Sequence, residues 1–254
     1  MKRGNEMKLA FQEQNFNVDD LIERRIENYW NKRSSEFSQV RRIELTGVNG
    51  EAWIELIEKH LPQAKKLNIL DVGTGAGFFA ILLANNGHKV TGIDMSPKMI
   101  HEAKKNMFEF GCRADFKQMN AQELNFDDES FDLVISRNLT WTLPDVMQAY
   151  REWYRVLKIG GILMNFDSDY GDKNFLNGQT CAKAEVDDEM LIECNEIKNS
   201  LRISTHNRPS WDTEFLQSLG FDVNIDSDIR QIVHKDNDIE YDSVPLFAIY
   251  AKKF

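Results

Sequence analysis

Residues 68–84, NILDVGTGAGFFAILLA, constrain the fold more than any other stretch of this chain. Ile69 and Leu70 are typical of the end of a buried strand, and the glycines that follow are typical of a tight turn. Residues 78–84 are typical of the apolar start of a helix. Glycine lets the backbone bend sharply and approach a ligand closely, and the free N–H groups at a helix start face the turn. The stretch therefore predicts a nucleotide-binding turn in an α/β fold.

The spacing of the small residues distinguishes two kinds of nucleotide turn. A dinucleotide turn has the pattern G-x-G-x-x-G/A, and its third small position would here be Phe78. The glycines instead stand at 73, 75 and 77, and Asp71 stands two residues before the first. An acidic residue that holds ribose hydroxyls is expected at the end of the next strand, and Asp94 follows the strand-like residues 90–93. A glycine turn that only connects two elements is the alternative, and Asp94 weighs against it.

This D-x-G-x-G-x-G pattern resembles motif I of the class I methyltransferases that depend on S-adenosylmethionine (SAM). Three further segments are similar to that family: Y-W-x-x-R at 29–33, F-D-L-V at 131–134 and R-V-L-K-I-G-G at 155–161. The resemblance implies a Rossmann-like, doubly wound, mostly parallel seven-stranded sheet with an antiparallel last strand. It covers residues 29–167 well and the rest loosely. The implied activity is methyl transfer from SAM, with SAM as the cofactor.

The resemblance also implies which residues contact SAM. Tyr29 would cover the sulfonium methyl and Arg33 would pair with the methionine carboxylate, although this segment is equally well explained as the packing of a helical cap. Relatives usually carry an acid for the adenine amino group where this chain has Asn120, whose amide oxygen can also accept that bond. The expected cofactor-binding residues are Tyr29, Arg33, Asp71, Val72, Gly73, Thr74, Gly75, Gly77, Asp94, Met95, Asn120, Ala121, Gln122, Ser136 and Arg137.

The methyl acceptor is expected near the end of the strand at residues 131–136. In an open parallel sheet, ligands gather at the carboxyl ends of strands near the switch in strand order, so residues 136–141 should line the site. Asn138, Trp141 and Tyr29 are the candidate catalytic residues, against the alternative of a structured turn. A sulfonium methyl is already activated, so the reaction needs mainly alignment and exclusion of water. We therefore predict few catalytic residues and no identified general base.

Four segments are expected along the chain. They are an N-terminal helical cap (1–62), the SAM-binding core (63–168), a lid insertion (169–208) and the C-terminal part of the sheet (209–254). Residues 187–199 of the insertion are helix-like and acidic, which would attract a cationic acceptor but is also ordinary for a solvent-facing helix. By resemblance, residues 221–229 and 246–252 form the antiparallel strands that close the sheet.

Charge and hydropathy limit the partners. The chain has 31 basic and 41 acidic residues, a net charge of −10, without a basic block, which disfavours nucleic-acid binding and favours a small-molecule acceptor. The sequence has no stretch near the ~18 apolar residues of a membrane span and no signal-peptide pattern, so we expect a cytoplasmic protein without a membrane partner. The oligomeric state stays open.

Cysteine usage and the competing functions complete the expectations. The chain has three cysteines, an odd number, without a CxxC pair, which fits reduced thiols. Cys181, Cys194 and His206 are possible soft metal ligands, but their spacing does not select a site, so no metal is predicted. The alternatives to a small-molecule methyltransferase are a methyltransferase acting on protein or RNA, an NAD-dependent oxidoreductase and a noncatalytic SAM-binding protein.

Overall fold

The computed structural model of this chain describes residues 18–62, 66–177 and 186–254. Helices and strands alternate along most of the chain, as the sequence predicts. The elements are α1 (Val18–Thr46), α2 (Val48–Glu58), β1 (Asn68–Val72), α3 (Phe78–Asn85), β2 (Lys89–Asp94), α4 (Pro97–Glu109), β3 (Asp115–Gln118), β4 (Phe131–Arg137), α5 (Val146–Val156), β5 (Leu157–Ser168), α6 (Asp188–Ser200), α7 (Ser210–Ser218), β6 (Phe221–Asp226), α8 (Arg230–Val233) and β7 (Leu246–Lys253).

The strands form one seven-stranded sheet in the order β3-β2-β1-β4-β5-β7-β6. β1 pairs in parallel with β2 and β4, and β7 runs antiparallel to β5 and β6. This confirms the predicted doubly wound sheet with its antiparallel last strand. The strand order reverses between β2 and β4, on either side of β1, so the carboxyl ends of these three strands meet at the switch point where such folds bind ligands.

Alternating side chains of the strands supply two cores, one on each face of the sheet. Leu70 and Val134 point to the face covered by α1, α5, α6 and α7. Ile69 and Leu133 point to the opposite face, where α2, α3, α4 and α8 pack. Because both faces are covered, the central strands are mostly apolar, which is the pattern expected of a parallel sheet, and their polar residues include Asp71 and Ser136 near the carboxyl ends.

Helix α1 is 29 residues long and contacts helices from both faces of the sheet. It packs against α2, α3, α4 and α6. Arg25 of α1 binds Glu193 of α6 through Nε (2.6 Å) and Nη2 (2.7 Å), which ties α1 to the insertion. The acidic helix expected at 187–199 is α6, capped by Asp187. The division into cap, core, insertion and C-terminal part stays a prediction.

Every helix within the described residues is too short or too polar to cross a lipid bilayer. The cytoplasmic location stays a prediction.

Candidate functional site

The glycine turn after β1 is held by Asp71. This carboxylate is buried, and its Oδ2 accepts hydrogen bonds from Thr74 Oγ1 (2.6 Å) and Ala80 N (3.0 Å). Burial raises the pKa of Asp71 to about 7, against the opposing effect of these two donors. Asp71 lines the cavity described below, but its hydrogen bonds go to the turn. Its contact with SAM therefore stays a prediction, whereas its support of the turn is observed.

Three glycines give the turn its shape. Gly73, Gly75 and Gly77 have φ of 67°, 52° and 89°, in the left-handed region that disfavours side chains. A Cβ on Gly73 would lie 2.8 Å from Leu139, and one on Gly75 would lie 3.2 Å from Phe37. Gly73 and Gly75 line the cavity, whereas Gly77 faces the packed side chains of α3, α4 and β3. The first two glycines leave room for a ligand, and the third allows close packing.

Asp94 ends β2 beside this turn. Its Oδ2 accepts a hydrogen bond from Gly75 N (3.0 Å) and its Oδ1 accepts one from Ser96 N (2.8 Å). Burial raises its pKa to about 6, even though both backbone donors favour the ionised form. Ser96 in turn caps α4 by accepting a hydrogen bond from Met99 N. The glycine turn and the predicted ribose carboxylate are thus in direct contact.

The loop after β3 contains the residues expected at the adenine base. Asn120 Oδ1 accepts from Gln122 N (3.0 Å) and Gln122 Nε2 (3.2 Å), so the amide oxygen expected to bind adenine is already engaged. Asn120 Nδ2 and Gln122 Nε2 both donate to Oε1 of Glu23, at 3.0 and 2.6 Å. Glu23 comes from α1, and the sequence analysis missed it because nothing local predicts that contact.

Helix α1 contributes a different face from the one expected. Tyr29 is buried in the core, and its hydroxyl accepts a hydrogen bond from Arg33 Nη1 (3.1 Å). Burial also raises the pKa of Tyr29 well above its usual value. Tyr29 and Arg33 are not on the cavity lining, which instead includes Trp30 and Arg41. The structure therefore does not place Tyr29 or Arg33 where the resemblance implies.

The end of β4 is fixed by buried polar contacts. Ser136 Oγ donates to Val72 O (3.0 Å), a bond that joins two strands below the cavity. Both Nη atoms of Arg137 bind the carboxylate of Glu44, at 3.1 and 2.8 Å, and its guanidinium lies 4.7 Å from the Trp53 ring centre. Arg137 lines the cavity, but its fork is occupied by Glu44. Val72 and Ser136, like Gly77, are not on the lining.

Asn138 and Trp141 form the wall beyond β4. Asn138 has a φ of +53°, which is uncommon for a residue with a side chain, and its carbonyl oxygen accepts from Trp141 Nε1 (3.1 Å). Trp141 N donates to Asp167 Oδ2 (3.0 Å). Trp141 also packs edge-on against Tyr170. Both candidate acceptor residues line the cavity, so this part of the predicted wall is present.

These elements line a cavity of about 1080 Å³, part of it open to solvent, at the carboxyl edge of the sheet. Its wall along α1 combines the apolar Ile26, Trp30 and Phe37 with the charged Glu23 and Arg41, and the strand ends add further polar groups. Of the expected site residues, it includes Asp71, Gly73, Thr74, Gly75, Asp94, Met95, Asn120, Ala121, Gln122, Arg137, Asn138 and Trp141. It also includes residues that were not expected, among them Glu23, Ile26, Phe78, Met119 and Leu143.

A second, smaller chamber of about 420 Å³ adjoins the first and shares Phe37, Arg41, Arg137 and Asn138 with it. His234 and Tyr241 complete its polar wall. Buried atoms on this wall without a hydrogen-bond partner among the described residues include Arg137 Nε, Asn138 Oδ1 and His234 Nε2. Burial, assisted by the charge of Arg137, lowers the pKa of His234 to about 3, so its ring is neutral at physiological pH.

The possible soft-metal residues have other contacts. Cys194 is buried in the core next to Tyr29, and His206 stacks on Trp211 with ring centres 4.4 Å apart. Cys181 lies outside the described residues. In the part of the chain that the structure describes, no three His, Cys, Asp or Glu side chains are grouped to hold a metal ion.

Comparison with known proteins is consistent with this geometry. Residues 70–165 match the methyltransferase domain family. The ubiquinone biosynthesis O-methyltransferase of Pseudomonas putida strain GB-1 is 34% identical over 133 residues, which are 52% of this chain and 54% of that protein. The chain thus spans about half the length of the curated relatives it matches. The family match opposes an NAD-dependent oxidoreductase.

Solved structures show the same fold at low sequence identity. A SAM-dependent methyltransferase from Aquifex aeolicus superposes with a TM-score of 0.54 and 17% identity, covering 84% of this chain and 96% of that one. Phosphoethanolamine N-methyltransferase 2 from Haemonchus contortus, solved with SAM, gives a TM-score of 0.57 and 18% identity, covering 79% and 51%. Residues 70–165 therefore form a methyltransferase domain, and the chain shares the fold of SAM-dependent methyltransferases.

Proposed function

We propose that this protein transfers the methyl group of SAM to a small-molecule acceptor. The observation that carries the proposal is the contact between the glycine turn and the ribose carboxylate: Gly75 N donates to Asp94 Oδ2 at 3.0 Å, and both residues line one large cavity. Backbone donors, a partly buried acid and an apolar wall are the groups that an adenosyl ligand needs.

The residues present fit SAM. Gly73 and Gly75 put backbone without a side chain on the cavity wall, and a Cβ on either would crowd Leu139 or Phe37. Asp94 suits the ribose hydroxyls, because an ionised carboxylate accepts two hydrogen bonds from a diol. Arg41 replaces Arg33 as the α1 cation on the cavity wall; its Nη1 binds Glu44 (2.6 Å), and its charge suits the methionine carboxylate.

Bound SAM would supply a methyl group already activated by the sulfonium. The remaining task of the protein is to align the acceptor and exclude water. Trp30 and Trp141, both on the cavity lining, suit the exclusion of water. Asn138 lies on the walls of both chambers, and its unpartnered Oδ1 suits the orientation of an acceptor N–H or O–H.

Three observations support a small-molecule acceptor. The second chamber is small and lined by aromatic and polar side chains, and the net charge of −10 disfavours nucleic acid. In addition, the Pseudomonas putida relative is named for ubiquinone biosynthesis and the Haemonchus contortus neighbour for phosphoethanolamine, both small molecules. Asn138 and Trp141 remain the proposed acceptor-side residues, whereas Tyr29 is replaced in this proposal by Trp30.

Calorimetric titration with SAM and with its demethylated product, S-adenosylhomocysteine, tests the cofactor. We expect both to bind, and we expect Asp94→Ala to weaken binding by about 1–3 kcal/mol, because it removes the ribose acceptor. Asp115→Ala, at the exposed amino end of β3, is the control and should bind as the unmodified protein does. The proposal would be contradicted if neither ligand binds, or if Asp94→Ala binds with the affinity of the unmodified protein.

A screen of metabolite fractions with methyl-labelled SAM tests the acceptor. Label transfer to a small-molecule fraction is expected. Transfer only to protein or RNA would show that the acceptor is a macromolecule, and binding of SAM without transfer to any fraction would favour the noncatalytic alternative.

A further inference from the structure

The cavity wall between β2 and β3 is where the base of an adenosyl ligand would lie. β3 is the next strand outward from β2, so the loop after β3 continues the wall beyond Asp94. Met95 and Met119 make that part of the wall apolar, and Asn120 and Gln122 make it polar. A flat purine whose ribose is held at Asp94 would therefore present its polar edge to residues 119–122.

The polar groups of this loop are largely satisfied within the protein. Asn120 Oδ1 accepts two N–H groups of Gln122, and a carbonyl oxygen has two lone pairs, so it has none left for a ligand. Gln122 Oε1 accepts a hydrogen bond from Asp145 N (2.6 Å). A backbone donor thus fixes the orientation of each amide, and both NH₂ groups are directed towards Glu23.

Glu23 retains free acceptor capacity. Its two hydrogen bonds from Asn120 and Gln122 both go to Oε1. Among the described residues Oε2 takes no hydrogen bond, and a carboxylate has about four acceptor positions. Glu23 is therefore a fixed, charged acceptor on the cavity wall at the expected polar edge of the base.

We propose that Glu23 accepts the hydrogen bond from the 6-amino group of the purine, so that helix α1, and not the loop after β3, selects adenine. This inference rests on the proposed binding of SAM. In this chain the negative charge at this edge comes from helix α1, 97 residues before Asn120 in sequence. A 6-oxo purine would be disfavoured, because two acceptor oxygens would face each other.

The test compares two ligands that differ at this edge: S-adenosylhomocysteine, with a 6-amino group, and S-inosylhomocysteine, with a 6-oxo group. Calorimetry on the full chain gives the ratio of their dissociation constants. We expect the unmodified protein to prefer the amino ligand, and Glu23→Gln to reduce that ratio by about tenfold or more, since the glutamine amide can donate to a 6-oxo group. Glu27→Gln, one turn further along α1 and absent from the cavity lining, is the matched control and should keep the original ratio.

Each outcome decides the proposal. A reduced ratio in Glu23→Gln alone supports it. An equal loss of affinity for both ligands would show that Glu23 only holds α1 against the loop, and an unchanged ratio would show that it does not contact the base, so either result overturns the inference while leaving the proposed function intact. If the unmodified protein binds neither ligand, both proposals fail.

Discussion

Replacing Glu44 by glutamine removes a negative charge that two buried arginines share beneath the second chamber. Arg41 Nη1 lies 2.6 Å from Glu44 Oε2, and Arg137 Nη2 lies 2.8 Å from Oε1. Tyr241 also donates its hydroxyl to Oε1 (3.0 Å). The Glu44 side chain is fully buried, so no solvent screens these interactions. We therefore expect Glu44→Gln to be strongly destabilising.

The pKa of Glu44 gives the size of this destabilisation. Burial alone would raise this pKa, but the two arginines outweigh burial and lower it from 4.5 to about 2. A tenfold change in an acid dissociation constant corresponds to about 1.4 kcal/mol, so ionised Glu44 stabilises the folded chain by about 3 kcal/mol at neutral pH. Removing one partner of a buried ion pair typically costs about 3–5 kcal/mol, which agrees with this figure.

The stabilisation by Glu44 changes with pH in one direction. Because the pKa is lower in the folded state, the stabilisation is complete above pH 4.5 and is lost as the pH falls towards about 2. Urea unfolding of the two proteins should give a difference of about 3–5 kcal/mol at pH 7 that narrows as the pH is lowered below 4.5. Glu36→Gln, whose glutamate pairs with Arg33 at 3.4 Å and is 35% exposed, is the control and should cost less than about 1 kcal/mol. A difference for Glu44→Gln below about 1 kcal/mol at pH 7, or one that does not narrow in acid, would refute the reasoning.

Three further predictions address the ligand site and the buried contacts. Burial raises the pKa of Asp94 to about 6, and only the ionised form offers both oxygens as charge-assisted acceptors to the ribose diol. The affinity for S-adenosylhomocysteine should therefore fall by up to about tenfold from pH 7.5 to pH 5 in calorimetry, and Asp94→Asn should lack this dependence. Gly77→Ala should lower the free energy of unfolding, measured in urea, by about 2–4 kcal/mol, because φ is +89° and the added Cβ would lie 3.2 Å from Ala103 and Phe116. Gly87→Ala is the control and should cost only about 1–2 kcal/mol, because φ is +88° but nothing lies within 4 Å of its Cβ. Equal costs would contradict the crowding argument. Arg208→Met should lower the free energy of unfolding by about 3–5 kcal/mol in the same measurement, since it leaves buried Asp167 and Asp212 without their cation. Arg230→Met removes a partly exposed ion pair and should cost less than about 1 kcal/mol. Similar losses in both variants would show that burial does not determine the cost.

The glycine turn and Asp94 are local features, and the sequence by itself determined them. A strand, three glycines and an apolar helix start lie within 17 consecutive residues, and their backbone conformations follow from residue types alone. Alternating strands and helices also indicate an α/β fold with few possible connections, and the resemblance to the methyltransferase family implied the seven-stranded sheet. Residues of the site that lie at strand ends, such as Met95 and Asn138, were predicted for the same reason.

The tertiary structure alone decided which residues of α1 reach the site. A helix presents every side chain at some angle, so the face that meets the cavity depends on how the helix is rotated on the sheet. Here Ile26 and Tyr29 pack in the core and Arg41 binds Glu44, which turns Trp30 and Arg41 to the cavity and leaves Tyr29 and Arg33 outside its lining. The same long-range packing brings Glu23 to Asn120, 97 residues away. Such contacts arise from the fit of distant surfaces, and residue spacing along the chain does not encode them.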